Sequence, residues 1–260
     1  MCSSEIQTVL SSFKPITLGE MGEVTLMNRV ETKYVFSTLK LAFLLDSLSE
    51  NYKVLDIGTV RAFPYHTTYL DTPELLFYTQ QVTGKLNRHK IRYRWYESTG
   101  VSFLEIKKRT NKHRTIKWRI KNNLSSDSPD GIASAFIREY INYSVTDLKP
   151  VLINEFTRIT LVGLEHKERI TLDYNLSFTS PEGNNSCLPF LAIAELKREM
   201  HNGQTPVYKI MREAGIQPCS FSKYCIGSTF VRDMPRMNVL KSDLLLINKI
   251  ENEYTRSART

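Results

Sequence analysis

Basic residues recur at every second position in several segments of the sequence. Cations alternate with other residues, most of them apolar, in the segments 88–96 (RHKIRYRWY) and 115–121 (TIKWRIK), and the charged Glu195 and Lys197 are likewise two residues apart in the segment 191–197 (LAIAELK). Side chains two residues apart on a β-strand lie on the same face, so each segment would form a strand with one apolar and one charged face. Arg offers phosphate oxygens a planar fork and Lys a point charge. The pattern therefore indicates binding of phosphate groups.

Carboxylates are sparse on these charged faces. Glu31, Glu105 and Glu195 each stand two residues before a lysine, and each would share the face of that lysine. Carboxylate oxygens are hard ligands that suit Mg²⁺ or Mn²⁺. We therefore predict that a divalent cation binds at these three residues.

The positive charge of the chain is local. The 260 residues carry 35 Lys and Arg against 27 Asp and Glu, a net charge of +8. Residues 85–121 contain 13 basic and 2 acidic residues, a net charge of +11, so the rest of the chain is at −3. A concentration of cations in one stretch indicates a polyanionic partner rather than a general effect on solubility.

The hydrophobic pattern predicts antiparallel hairpins with helices between them, an α+β fold. Two arrangements fit the strand faces: an open sheet with one solvent face, and a sheet closed on itself whose charged face lines a tunnel. Adjacent like charges on strands such as 88–96 cost energy unless an anion offsets them, which favours the tunnel. The prediction is a closed antiparallel β-barrel of about eight strands with helices packed outside. Trp95 and Trp118, on the apolar faces, are expected to pack between barrel and helices, whereas Tyr96 is left open between nucleotide contact and packing.

Other classes of protein are excluded. The four cysteines form no CxxC pair and the five histidines are scattered, which speaks against a disulfide scaffold and against a zinc site. No apolar run approaches the roughly 20 residues of a membrane helix, and the polar N-terminus is unlike a signal peptide. A cytoplasmic protein without a membrane segment of its own is expected.

Beyond these patterns, an ordered set of short motifs resembles the VTC (vacuolar transporter chaperone) domain, the polyphosphate polymerase branch of the triphosphate tunnel metalloenzymes. The most specific pieces are RYRWY at 92–96, ELK at 195–197 and FSKY at 221–224. The remaining pieces are Arg29-x-Glu31-Thr32-Lys33-Tyr34, Tyr69-Leu70-Asp71-Thr72, Leu104-Glu105-Ile106-Lys107, Arg158 and Arg169-Ile170-Thr171-Leu172-Asp173. The resemblance runs over roughly residues 25–232.

The resemblance implies an enzyme that transfers the γ-phosphate of Mn²⁺- or Mg²⁺-ATP to a growing polyphosphate chain and releases ADP. Lys33, Arg92, Arg94 and Glu195 would be the catalytic residues, with Glu195 as the main metal ligand. The implied phosphate-binding residues are Lys33, Arg92, Arg94, Lys107, Arg158, Arg169, Lys197 and Lys223. Lys117 and Arg119 join this set on strand periodicity more than on motif.

Two departures from the family pattern stand out. Phe156, two residues before Arg158, occupies a place where a tyrosine is expected, so a hydroxyl that would position phosphate is missing. The sequence shows neither an inositol-phosphate-sensing domain before residue 25 nor a membrane segment, which is expected of a bacterial stand-alone enzyme that would use a separate membrane protein or keep its product in the cytosol. The predicted organisation is an N-terminal extension (1–24), a tunnel domain (25–235) and a C-terminal helix or tail (236–260).

Two other functions remain open on sequence grounds. The same tunnel can admit water, which would make the protein a metal-dependent triphosphatase of inorganic triphosphate or of nucleotides. A non-catalytic module that binds polyphosphate is the second. Nucleic acid is not expected as a partner, because most aromatic residues that alternate with Arg fall on the opposite strand face.

Overall fold

The computed structural model describes residues 2–23, 29–112, 114–122, 129, 131–141, 148–165, 167–199 and 205–257. The strands are β1 (Lys14–Ile16), β2 (Arg29–Ser37), β3 (Tyr52–Leu55), β4 (Ala62–Asp71), β5 (Arg88–Tyr96), β6 (Val101–Arg109), β7 (Thr115–Lys121), β8 (Lys149–Gly163), β9 (Glu168–Thr179), β10 (Asn185–Leu188), β11 (Leu191–Glu199) and β12 (Pro218–Cys219). The α-helices are α1 (Cys2–Ser12), α2 (Leu18–Glu23), α3 (Leu41–Leu48), α4 (Leu76–Val82), α5 (Gly131–Tyr140), α6 (Pro206–Glu213), α7 (Lys223–Val231) and α8 (Lys241–Ser257).

One twelve-stranded sheet dominates the α+β fold. Its main path runs β12-β2-β11-β9-β8-β4-β5-β6-β7, and every neighbouring pair on this path is antiparallel. The prediction of a closed barrel of about eight strands is wrong. Among the described residues no backbone ladder joins β7 to β12, and β1, β3 and β10 lie off the main path. Strand number and closure depend on pairing between distant segments, which alternation within one strand does not specify.

Side-chain contacts connect parts of this sheet that no backbone ladder joins. Lys90 on β5 donates a 3.0 Å hydrogen bond to Oγ of Ser222, which lies between β12 and α7. Lys107 on β6 lies close enough to Glu195 on β11 for the two charges to interact, although four strands separate β6 from β11 in the sheet order. The sheet is therefore curled around a central space, here called the bore, toward which its charged faces point.

The convex side of the sheet carries the apolar faces and is covered by helices. Leu41, Leu44 and Leu45 of α3 are fully buried against apolar residues of β2, β8, β9 and β11. Trp118 stacks on Tyr140 of α5 with ring centroids 4.6 Å apart, which confirms the packing predicted for this tryptophan. The same prediction for Trp95 is wrong, because its side chain is 40% exposed and its ring lies beside the ring of His66 rather than under a helix.

Both terminal segments pack on the sheet. In α1, Ile6 and Leu10 are buried in the cluster that contains α3, and β1 pairs in parallel with β3. In α8, Ile247 and Ile250 are buried in the cluster that covers β2 and β11. None of the helices in the described part of the chain is long and apolar enough to cross a membrane.

Candidate functional site

Glu105 organises one group of cations on the wall of the bore. Arg92 lies directly opposite it on β5 and donates two hydrogen bonds, from Nε at 2.8 Å and Nη2 at 2.7 Å, to its Oε2. Nζ of Lys117, on β7, is 2.5 Å from Oε1. Burial would raise the pKa of Glu105, but the charges of Arg92, Arg94 and Lys117 outweigh it and hold the pKa below its ordinary value. Glu105 is therefore ionised and acts as the counter-ion of this group.

Asp173 organises a second group. Arg158 pairs with it across β8 and β9 and forms a bidentate contact of 2.6 Å and 2.7 Å, and Nζ of Lys223 contacts its Oδ2. Burial opposes ionisation of this carboxyl, but Arg158 and Lys223 hold its pKa at about 2. Lys223 follows the N-cap Ser222, whose Oγ accepts from the amide of Cys225, so the start of α7 fixes the position of Lys223 at the bore.

Glu195 is the carboxylate that stays most open to the bore among these three. It pairs with Lys33 in the β2–β11 ladder, and its oxygens are 2.5 Å from Nζ of Lys197 and 3.7 Å from Nζ of Lys33. Its side chain is 23% exposed, whereas those of Glu105 and Asp173 are 0% and 3% exposed. Burial raises the pKa of Glu195, but Lys197 and Lys33 outweigh it and hold the pKa well below its ordinary value.

Arg94 is the buried cation whose pairing is least complete. Its residue is 8% exposed, and no described atom hydrogen-bonds to its Nε. Burial and the neighbouring charge of Arg92 lower its pKa. The Oγ1 atoms of Thr67, its ladder partner on β4, and of Thr171 on β9 are also buried without a hydrogen-bond partner among the described residues. Unpaired donors in one wall leave a place for an oxyanion.

Lys107 completes this cationic wall. Arg92 and burial hold the pKa of Lys107 well below its ordinary value, with Arg94 adding to the effect. An anion bound next to Lys107 would relieve this repulsion and favour its protonated form. The lining is therefore electrostatically unfavourable by itself and complementary to a strongly negative ligand.

The other predicted residues are more peripheral. Arg169 is half-buried and pairs in register with Lys197 in the β9–β11 ladder. Arg119 is exposed on β7, with its guanidinium 4.8 Å from the ring centroid of Phe103. Glu31 lies on the exposed end of β2, in register with Lys197. The structure thus groups the predicted cations along one curled face, with Arg119 and Glu31 at its margins.

Phe156, the departure from the family pattern, contributes a ring instead of a hydroxyl. It stacks on Tyr65 with centroids 5.4 Å apart, and Nζ of Lys223 and the guanidinium of Arg158 lie 4.7 Å and 5.2 Å from its centroid. Cation–π contacts of this kind hold the two cations in place. The missing hydroxyl therefore does not leave them unsupported.

Four further residues of this region were not predicted as site residues. Lys90 shares the face of Arg92 and Arg94, and strand alternation could have included it. Asp173 ends the RITLD segment, where the same alternation places it on the bore side. Asp71 accepts hydrogen bonds from the backbone amides of Phe77 and Tyr78 and from the hydroxyl of Tyr224, and so connects β4 to α4 and α7. Tyr65 has no local signal, because only the fold brings Arg94 and Arg158 over its ring.

Metal-ligating side chains are not clustered. Within the described ranges, no group of three or more His, Cys, Asp and Glu side chains lies close enough to hold an ion. Glu31, Glu105 and Glu195 lie on β2, β6 and β11, and both the buried Glu105 and the partly exposed Glu195 are paired with cations. The described side chains would therefore supply only one or two of the ligands of a bound metal ion.

Three solved structures illustrate what the fold is similar to. HpAC1 from Hippeastrum, described as having a dominant triphosphatase activity, is 13% identical, with a TM-score of 0.46 over 80% of this chain and 98% of its own. The PH1819 protein from Pyrococcus horikoshii OT3 is 14% identical, with a TM-score of 0.39 over 73% and 92% of the chains. The RNA triphosphatase Pct1 from S. pombe is 9% identical, with a TM-score of 0.30 over 67% and 72%.

The comparison with family models shows which family the chain belongs to. A search of curated proteins finds no significant match. The model of the VTC domain, in contrast, matches residues 28–232, which include strands β2 to β12 and all three carboxylate groups described above. Because this match covers most of the sequence, the chain belongs to the VTC domain family.

Proposed function

We propose that this protein is a polyphosphate polymerase that transfers the γ-phosphate of ATP to the end of an inorganic polyphosphate chain and releases ADP. The observation that carries the proposal is the bore itself, in which cations from strands far apart in the sheet face one another and Arg94 lacks a complete set of partners. A chain of phosphates is a linear polyanion that can satisfy many such cations at once.

In this proposal the residues of the chain act by alignment and charge neutralisation, which is most of what phosphoryl transfer requires of a protein. Arg92 and Arg94 would bind the γ-phosphate, since their guanidinium groups can each offer two donors to phosphate oxygens. Lys33, Lys107 and Lys197 would hold the incoming chain end. A terminal phosphate oxygen of the acceptor attacks the γ-phosphorus, the bond from that phosphorus to the β–γ bridging oxygen breaks, and ADP leaves.

The carboxylates also fit a divalent cation of the proposed kind. Mg²⁺ keeps several waters and takes one or two protein carboxylates together with substrate phosphates, rather than a full protein cage. Glu195 matches this need, because it is ionised, partly exposed and on the bore side of β11. Glu31, in register with Lys197 on the neighbouring strand, is the candidate for a second contribution, whereas Glu105 is buried and paired with Arg92 and Lys117. When bound, Mn²⁺ or Mg²⁺ would neutralise phosphate charge and orient the β- and γ-phosphates.

Incubation of the purified protein with ATP and Mn²⁺ or Mg²⁺ tests the proposal, with products separated on a gel stained for polyphosphate. Long chains together with stoichiometric ADP support the polymerase. Release of orthophosphate without chains would contradict it and indicate a triphosphatase. Binding of polyphosphate without any turnover would contradict it and indicate a binding module. Lys209→Gln is a suitable control, since this exposed lysine lies on α6, which packs on α3 on the convex side of the sheet, and it pairs only weakly with Glu213.

A further inference from the structure

A second basic region lies beyond the bore residues, at the end of the β5–β6–β7 sheet where the loop between α4 and β5 meets the β6–β7 turn. Oδ1 of Asn87 accepts a 3.2 Å hydrogen bond from the backbone amide of Asn111, so the two loops lie side by side. The amide of Thr110 donates to the carbonyl oxygen of Arg114 at 2.8 Å, which closes the turn. This region, here called the rim, carries six basic side chains: Lys85, Arg88, Lys108, Arg109, Lys112 and Arg114.

No carboxylate of the described residues neutralises the rim. The segments 84–90 and 107–116 contain neither Asp nor Glu, and none of the six cations pairs with a described acidic side chain. Arg88 and Arg109 stand directly opposite each other in the β5–β6 ladder, where like charges are destabilising. Burial, and after it the charge of Arg109, lowers the pKa of Arg88. The rim is therefore complementary to an anion from outside the chain.

Apolar side chains are exposed at the same end of the sheet. Leu86 follows Lys85 in the first loop and is 52% exposed. Ile116, at the start of β7 and in register with Lys108, is 42% exposed. Neither the segment 84–88 nor the segment 108–116 contains Phe, Tyr or Trp. Exposed apolar groups surrounded by polar ones mark interaction sites, and here both kinds of side chain must be matched by one partner.

A polyanion in solution matches only the charged part of the rim. Single-stranded nucleic acids bind through aromatic stacking as well as charge, and the rim offers no aromatic ring of Phe, Tyr or Trp. Inorganic polyphosphate has no apolar part at all. An anionic bilayer presents phosphate charge at its surface and hydrocarbon directly below it, so basic side chains can stay among headgroups while neighbouring apolar side chains enter the interface.

We propose that the rim docks this protein on the surface of an anionic phospholipid bilayer, with Lys112 and Arg114 among the headgroups and Leu86 at the boundary with the acyl chains. The contact is peripheral and reversible, because it uses a few exposed side chains of two loops. It does not depend on the proposed function, since none of these three residues belongs to the catalytic or phosphate-binding set.

Sedimentation with lipid vesicles tests the proposal. Vesicles of phosphatidylglycerol and phosphatidylcholine are compared with vesicles of phosphatidylcholine alone, at about 0.1 M salt, where the screening length is about 10 Å. The rim variant carries Lys112→Glu and Arg114→Glu. The matched control carries Lys209→Glu and Arg212→Glu, which change the net charge equally on exposed positions of α6, the helix that packs on α3. Circular dichroism verifies that both variants are folded.

The wild type is expected to bind the anionic vesicles and not the neutral ones. The rim variant should bind at least about 20-fold more weakly, because each basic residue near an anionic surface contributes about fivefold, and the α6 control should stay within about twofold of wild type. Leu86→Ser should weaken binding about threefold or more. Leu164→Ser, at a residue that is 41% exposed in the β8–β9 loop, should not.

Four results would each overturn the inference. The first is a wild type that does not bind anionic vesicles. The second is an equal loss in the rim variant and the α6 control, which would mean that net charge alone acts. The third is unchanged binding by Leu86→Ser, which would mean that the rim recognises a polyanion without an apolar part. The fourth is loss of vesicle binding in Arg94→Met, which would assign the headgroups to the bore instead of the rim.

Discussion

Replacement of Asp173 by Asn tests whether the bore is built on ionised carboxylates. The substitution keeps the size of the side chain but removes the charge that Arg158 and Lys223 share. Because folding lowers the pKa of Asp173 from 3.8 to about 2, and each pKa unit is about 1.36 kcal/mol, ionisation of this one carboxyl stabilises the folded state by roughly 2 kcal/mol.

The cost of breaking a buried ion pair gives a similar value for the stability lost in Asp173→Asn. Removing one partner of a fully buried ion pair costs about 3–5 kcal/mol, because the remaining charge is left buried. Arg158 and Lys223 have side chains that are 16% and 15% exposed, so water in the bore reduces this cost. We expect Asp173→Asn to lower the free energy of unfolding by about 2–4 kcal/mol at pH 7.

Urea unfolding followed by circular dichroism measures this difference. With a slope of about 2–3 kcal/mol per molar, the midpoint should fall by about 1 M. The control is Glu182→Gln, which breaks the exposed pair of Glu182 with Arg232 at 3.0 Å and should cost less than about 1 kcal/mol. An Asp173→Asn midpoint equal to that of wild type or of this control would refute the reasoning.

The pH dependence provides an independent check with a definite sign. A carboxyl whose pKa is lowered by folding stabilises the protein above its unfolded pKa, and this contribution disappears as the pH falls through the folded pKa. The stability gap between wild type and Asp173→Asn should stay constant from pH 7 to about 4 and narrow between about pH 4 and 2. A gap that widens on acidification would contradict the assignment.

Three other substitutions have distinct expected outcomes. Glu195→Gln should lower metal-dependent turnover at least about 100-fold while the protein still folds, because the side chain offers one less anionic oxygen to a cation; its melting temperature should fall, since Lys197 and Lys33 lose their counter-ion, and full activity would exclude Glu195 as a ligand. Arg94→Met should weaken tripolyphosphate binding by about tenfold or more while leaving or raising the melting temperature, since it removes a buried, incompletely paired charge; a large drop in melting temperature would show that Arg94 is structural. Gly227→Ala places a methyl group 2.2 Å from Cδ1 of Phe178 and should destabilise the protein by about 1–3 kcal/mol or more in urea unfolding; unchanged stability would mean that α7 can move away from β9.

Much of the site could be predicted from alternation alone. Because the side-chain period of a strand is two, the face on which Arg92, Lys107 or Lys197 lies depends only on its immediate neighbours in the sequence. The same rule separates Trp118 from the bore, and its packing on Tyr140 bears this out. Trp95 obeys the rule as well, but which helix covers a given apolar residue depends on distant segments, and among the described residues the side chain of Trp95 stays 40% exposed.

The burial of the three carboxylates could not be predicted from the local sequence. Glu195, Glu105 and Asp173 stand in equivalent patterns, each two residues from another polar side chain on the same strand face. Only the fold distinguishes the partly exposed Glu195 from the buried counter-ions Glu105 and Asp173, because their burial depends on Lys117 and Lys223 arriving from other elements.

The sequence by itself determined the α+β class, the charged strand faces, the family and the set of cations, because these depend on residue type and near-neighbour spacing. The tertiary structure decided that the sheet has twelve strands and that β5 meets the start of α7 through Lys90 and Ser222, residues 132 positions apart. It also decided which carboxylate each cation meets and where the aromatic rings lie along the bore. The physical reason is that charge pairing and sheet curvature arise from contacts between segments far apart in the chain, whose energies no local pattern contains.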